Sequence, residues 1–304
     1  FVSAVVNADY LYLIPCMIFL LLGLFTRAFR WRVLLANQLP FSRAFSIMNV
    51  AYLVNGVLPL RIGEVARIYL TTRVQKPIPA MQTASTIVVE RLLDLLAVVV
   101  MMLLALTVAP VPQELRTAGA IGAGMAIGGF IVLILVARQR IIAEQLIGWL
   151  VIKIPILNRL KLANFVSDFI DGLIPILNFS SLSQAIFWTV ASWILSVFAG
   201  YILMFAFFEQ GDLIATMLYI AAAAFAVALP AVPGNIGTYE ASILLALVAL
   251  GYQQSDTAIA FAITVHAVNV FVHASTGVVG FMREGISLNQ LRSGVQQMQQ
   301  TPAS

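Results

Sequence analysis

Apolar runs of membrane-spanning length recur along the chain, and nearly every charged residue falls in a short cluster between them. A spanning helix needs ~20 predominantly apolar residues. Asp9 to Phe29, Ala80 to Val108, Thr117 to Ala137, Ser183 to Phe208 and Thr257 to Met282 meet that length and predict five full spans. Two further runs are shorter and stop at proline. Ala44 to Leu58 ends at Pro59, and Leu213 to Leu229 ends at Pro230. A run of that length reads as a re-entrant or half-spanning helix. Between 141 and 181 charged and apolar residues intermix, which predicts one or two amphipathic helices at the interface or an ordinary connector packed on the bundle.

Charge sets the orientation. The first run ends among Arg27, Arg30 and Arg32, with Arg43 beyond, Arg61, Arg67, Arg73 and Lys76 follow the first break, and Arg138 and Arg140 follow the third span. Excess Arg and Lys marks the cytoplasmic side. The two broken runs then enter from opposite faces. The first span would start outside, so an additional helix upstream of Phe1 is expected. The predicted fold is an all-α polytopic helix bundle with two Gly/Pro-broken re-entrant segments in an inverted repeat. One transmembrane domain covers 1–284, with halves around 43–108 and 213–282, the amphipathic connector at 141–181 and a polar tail at 285–304.

The repeat rests on order and spacing. Each break reads apolar run, Leu-Pro, glycine, glutamate, and Glu64 to Glu90 and Glu240 to His266 are both 26 positions apart. Paired broken segments of opposite orientation are the pattern of transporters that bind near the midplane. Chance similarity between apolar helices is the competing account.

Composition narrows the class. Of 304 residues, 61% are hydrophobic and 10% charged, with a mean hydropathy of +0.98, far from soluble averages of about 45–50% and about 25%. The net charge of +4 sits beside apolar runs, which excludes a nucleic-acid footprint. Cys16, the one cysteine, lies in an apolar run and forms no internal disulfide.

The chemistry concentrates at the breaks. Glu90, Arg91 and Asp94 lie about ten residues into a helix from Ala80, roughly 15 Å deep at 1.5 Å per residue. Glu90 and Asp94 share a face by i,i+4 spacing. A charge there costs ~2.5–3.5 kcal/mol on insertion scales, so partners or a wet cavity are required. Either the cluster locks helices together, or Arg91 meets an anionic headgroup and the carboxylates orient it. Arg61, Glu64 and Arg67 are spaced three apart after Pro59, near one face of a new helix whose N-terminus suits phosphate. Positive-inside charges with a helix-start acid explain them equally well. The second break offers Asn235, Tyr239 and Glu240, with Gly234 and Gly237 for close backbone approach and Thr238 as an N-cap. His266 and His273 fall seven apart on one helix face, too sparse a set for a metal site, and no cofactor is expected. No paired-aspartate transferase motif, GxSxG or P-loop is present, which argues against an enzyme.

Three motifs in order carry a family likeness: Leu58-Pro59-x-Arg61-x-Gly63-Glu64-x-x-Arg67, Val88-Val89-Glu90-Arg91-x-x-Asp94, and Pro233-Gly234-x-x-Gly237-x-x-Glu240. With the Arg27 to Arg32 cluster they resemble the flippase-like membrane family that includes the transmembrane region of lysylphosphatidylglycerol synthases. The resemblance implies a multi-pass protein of the cell membrane that moves a lipid between leaflets, an anionic phospholipid or polyprenyl-phosphate type among them. His266 stands where that family often has arginine, and these 304 residues include no aminoacyltransferase domain, so lipid synthesis by this chain is not expected. The expected function is a flippase- or scramblase-like lipid transporter acting on membrane lipids, with homo-oligomerisation open. The expected substrate-binding residues are Arg61, Glu64, Arg67, Glu90, Arg91, Asp94, Asn235, Tyr239, Glu240 and His266. A non-transporting scaffold of lipid synthesis, or the detached membrane half of an aminoacyl-phospholipid synthase, are the alternatives.

Overall fold

A computed structural model describes residues 2–58, 61–108, 113–153, 162–228 and 233–285, together with 290 and 293. The predicted prolines Pro59 and Pro230, and part of the connector, lie outside the described residues. Every regular element described is helical. A short α1 (Val2–Val6) precedes α2 (Leu13–Leu34), α3 (Phe41–Val57), α4 (Ile62–Thr72), α5 (Ala80–Val108) and α6 (Gln113–Arg138). The second part holds α7 (Arg140–Lys153), α8 (Leu162–Leu177), α9 (Phe179–Met204), α10 (Leu213–Ala228), α11 (Thr238–Ala249) and α12 (Asp256–Glu284). Single 3₁₀ turns occupy Tyr10–Tyr12 and Pro233–Asn235. Among the described residues, four stretches are long and apolar enough to cross a membrane: Tyr10–Leu34, Gly119–Arg138, Phe179–Met204 and Asp256–Glu284. α5 matches them in length but carries Glu90, Arg91 and Asp94 in its first half.

In lipid there is no hydrophobic drive between helices, so close packing falls to small residues and polar contacts. The α3–α12 seam follows that rule. A methyl added at Gly280 would come 2.7 Å from the Ser46 carbonyl, and one at Gly277 2.8 Å from that of Asn49. Thr276 donates to Asn49 Oδ1 across the same seam at 3.0 Å. The α2–α9 pair runs antiparallel, with aromatic rings such as Phe19 and Phe198 stacked at 5.8 Å. α8 buries Ile170, Leu173 and Ile176. Its Gly172 lies against Gln82 and Ser85 of α5, so this part of the predicted connector packs into the bundle.

One boundary differs from expectation in a way that matters. The first long helix continues through Leu34, five residues beyond Phe29. Arg30 and Arg32 are thus helical residues rather than loop cations, and Arg30 is only 2% exposed. The ion partners described below hold Arg30 inside the bundle.

Candidate functional site

The turn into α4 is strained. Arg61, its N-cap, takes a left-handed φ of 54°, an uncommon conformation for a residue with a Cβ. Asn55 Oδ1 accepts the Gly63 amide at 2.8 Å and so caps α4 from the preceding helix. Gly63 lies so near α3 that an added methyl would overlap the Ala51 carbonyl. Glycine is required there by approach rather than by backbone angle. The expected common face of Arg61, Glu64 and Arg67 forms only in part: Arg61 lies 3.8 Å from Glu64, whereas Arg67 meets Glu90. Arg61 also donates to the Val227 carbonyl of α10 at 2.9 Å, which ties the first break to the helix entering the second.

The second break mirrors this tie. Gly234, with φ 64°, sits where an added methyl would lie 3.2 Å from the Gly56 carbonyl, so the two broken segments touch. Gly237, not Thr238, is the N-cap of α11, and its amide is accepted by Glu240 Oε2 at 2.7 Å. Thr238 instead bonds back to the Asn235 carbonyl at 3.0 Å.

Eight ionisable groups gather beside the first break. Arg67 meets Glu90 at 2.6 Å, and its guanidinium lies over the Trp31 ring at 3.7 Å. Arg30 joins Glu90 at 3.5 Å and Asp94 at 2.6 Å, which confirms that the two acids share a face of α5. Arg91 pairs with Glu64 at 2.9 Å and approaches Asp94 at 3.9 Å, while Arg61 lies 3.8 Å from Glu64. Trp193 of α9 donates to Asp94 Oδ1 at 3.1 Å. Arg27 completes the set with a cation–π contact to Trp193 at 5.7 Å. Five arginines thus face three carboxylates. Arg67, Arg30 and Glu90 are at most 3% exposed and form the closed back of the cluster. Burial of that depth depends on ion pairing, and Arg30 Nε and Arg67 Nε are still left without a hydrogen-bond partner.

In front of the cluster is a cavity of 390 Å³ between α2, α5, α9, α10, α11 and α12. Of the ten residues expected at a site, Arg61, Arg91, Asp94 and Tyr239 line it. Glu64 stands behind two of those arginines. Glu90 and Arg67 are sealed in the paired back, and so do not reach the cavity. Glu240 and His266 pair at 2.6 Å outside the lining, and His266 stacks on Tyr239, which does line the cavity, at 4.6 Å. Asn235 contributes a left-handed turn residue, φ 55°, and is not part of the lining.

Residues not expected at the site complete the wall: Trp193, Ser196, Tyr219 and Asn269, with Arg27, which had been read as a topology marker, and His273, which had been weighed only for metal. Asn269 and His273 did carry a signal, an i,i+4 polar pair on an otherwise apolar helix. Among the described residues no group of three His, Cys, Asp or Glu side chains could hold a metal.

The sequence as a whole matches the family model described as the lysylphosphatidylglycerol synthase TM region over residues 1–277. The chain belongs to that family. It is accordingly an integral membrane protein of a family connected with lipid synthesis or transport, as the three motifs had suggested. No curated protein and no solved structure matches it. For a member of the lysylphosphatidylglycerol synthase transmembrane-region family, an arginine-rich cluster bordering an internal cavity is the feature with most chemical consequence. A planar guanidinium binds phosphate or carboxylate oxygens through paired hydrogen bonds.

Proposed function

We propose that the protein moves a lipid with an anionic, phosphate-type headgroup between leaflets of the cell membrane, without chemistry on the lipid. The observation that supports this reading is the surplus of arginine beside a cavity where two broken segments meet. Charges at such depth are costly, and three of the arginines face open space rather than a fully matched set of carboxylates. The headgroup would lie against Arg27, Arg61 and Arg91, with Asp94 and Glu64 fixing the guanidinium planes. The opposed breaks, Arg61 on the Val227 carbonyl and Gly234 on Gly56, form the seam that would open alternately to each side. An acid–base pair follows each break, Glu64–Arg91 and Glu240–His266, in keeping with an inverted repeat.

The test is reconstitution into liposomes with fluorescently labelled phosphatidylglycerol and phosphatidylcholine in the inner leaflet. The expected result is protein-dependent transfer of the anionic lipid that falls at least tenfold in Arg91→Ala. Equal rates with and without protein would favour a non-transporting scaffold, for which the extensive internal pairing of Arg30, Arg67 and Glu90 speaks.

A further inference from the structure

Each break is followed by an acid, but the two acids have partners of different chemistry. Glu64 pairs with Arg91 at 2.9 Å, with Arg61 3.8 Å away. Glu240 pairs with His266 at 2.6 Å, its one ion partner among the described residues. A guanidinium keeps its proton in any protein. Imidazole is the side chain whose ordinary change of charge falls between about pH 5 and 8. The acid at the first break is therefore neutralised at all times. The acid at the second is neutralised only while His266 holds an extra proton.

The geometry gives each atom a role. An ionised carboxylate can only accept, so His266 donates from Nδ1 to Glu240 Oε1, and the exchangeable proton is the one on Nε2. Glu240 Oε2 accepts the Gly237 amide at 2.7 Å, in the first turn of α11, where a helix N-terminus favours a negative charge. Neither side chain is sealed. His266 is 11% and Glu240 19% exposed, against 4% for Glu90 in the closed back of the arginine cluster. Other ionisable groups on the helices packed against α11 and α12 are Tyr219 of α10, Cys16 and Arg27 of α2, Tyr52 of α3, Tyr201 of α9 and His273 of α12 itself. α1 carries none. The other arginines of α2 and α3 are held by Asp94, the Leu39 carbonyl and Glu284. The acids of α12, Asp256 and Glu284, stand at its two ends, ten and eighteen residues from His266. Glu240 is thus the acid that His266 answers to, and the pair lies one aromatic ring, that of Tyr239, from the cavity.

Resting on the lipid-transport reading, we propose that Glu240 and His266 form a proton-binding site, and that a proton held there crosses the membrane together with the anionic headgroup. Loaded, the pair is neutral overall. Unloaded, it leaves a single carboxylate beside the cavity, which is costly in lipid and repels an anion close by. Proton and headgroup therefore favour each other's binding, and by linkage to the same extent. The proton joins His266 Nε2 on the side where the headgroup enters and leaves from that nitrogen on the other side. One negative headgroup and one proton then cross without net charge. The first break, with Arg91 in place of a histidine, has no such step.

Liposomes carrying the full chain and labelled phosphatidylglycerol test this, with the interior more acid than the exterior and the membrane potential held at zero by potassium and valinomycin. A difference of about one pH unit supports up to about tenfold enrichment of lipid in the leaflet on the alkaline side, at one proton per lipid. At least threefold is expected after protein-free vesicles are subtracted. His266→Arg, which gives the second pair the fixed charge of the first, should still transfer lipid but bring it to one distribution with or without the gradient. His266→Gln, which leaves the carboxylate unneutralised, should slow transfer at least tenfold. The chain has two histidines, so nitrogen resonances of the ring, assigned with His273→Gln, give a reading independent of transport. In detergent His266 should gain a proton between about pH 5 and 8, and Glu240→Gln should displace that transition. Transfer that ignores the gradient in the wild-type protein overturns this inference and leaves the transport reading standing. A gradient response that persists in His266→Arg overturns it as well. No transfer under any condition refutes the transport reading, and the resonances then decide: a transition that depends on Glu240 upholds the proton site, whereas a His266 ring of constant protonation marks a purely structural pair.

Discussion

At the scale of single residues, the charged cluster divides by depth. Arg67, Glu90 and Arg30 are sealed and matched, so each holds the others' charge in a medium that would otherwise reject it. Removing one partner of such a pair costs about 3–5 kcal/mol, because the other charge remains buried alone. Arg67→Met is therefore expected to lower thermal stability by that order in detergent. The double variant Arg67→Met/Glu90→Met should regain most of it, since no uncompensated charge is left. Static light scattering of unfolding, read against the single variants, checks this. The cavity-facing Arg27 behaves differently. With no ion pair to lose among the described residues, Arg27→Gln should leave the unfolding temperature nearly unchanged.

At the scale of elements, glycine and asparagine fix how α4 returns against α3. Gly63 approaches Ala51 so closely that a methyl cannot enter without moving the helix. Gly63→Ala is expected to destabilise by about 1–3 kcal/mol, as overpacking does. It should also displace Glu64 from Arg91, which would appear as a loss of lipid transfer larger than the stability change alone explains. The α3–α12 seam makes a parallel case without touching charge. Gly280→Leu should loosen the bundle and raise protease sensitivity, because the Ser46 carbonyl occupies the space the side chain needs.

At the scale of the whole molecule, the cavity exists because helices of opposite direction bring their polar stretches to one level. Blocking it should separate function from folding. Leu95→Trp, on the half-buried wall of the cavity, is expected to stop lipid movement while elution volume and unfolding temperature stay at wild-type values. Wild-type transfer rates in that variant would show that lipid does not use this cavity.

Much of this was legible from residue order. Helical class and membrane setting follow from long apolar runs, since a chain this apolar has no soluble solution. The importance of Glu90, Arg91 and Asp94 follows from the cost of charge in lipid. The use of Gly234 and Gly237 for close backbone approach or left-handed angles follows from their place in a proline-marked break, whereas the closeness of Gly63 to Ala51 does not. Arg30 was misplaced because arginine after an apolar run reads as a cytoplasmic marker, and only the continued helix to Leu34 turns it inward. Arg61 and Arg67 were grouped by spacing, yet a left-handed backbone at 61 sends their side chains to different partners. Local pattern encodes which residues cannot rest in hydrocarbon. It does not encode whom they meet, because contacts such as Arg30 with Asp94, 64 positions apart, are settled only when distant helices pack.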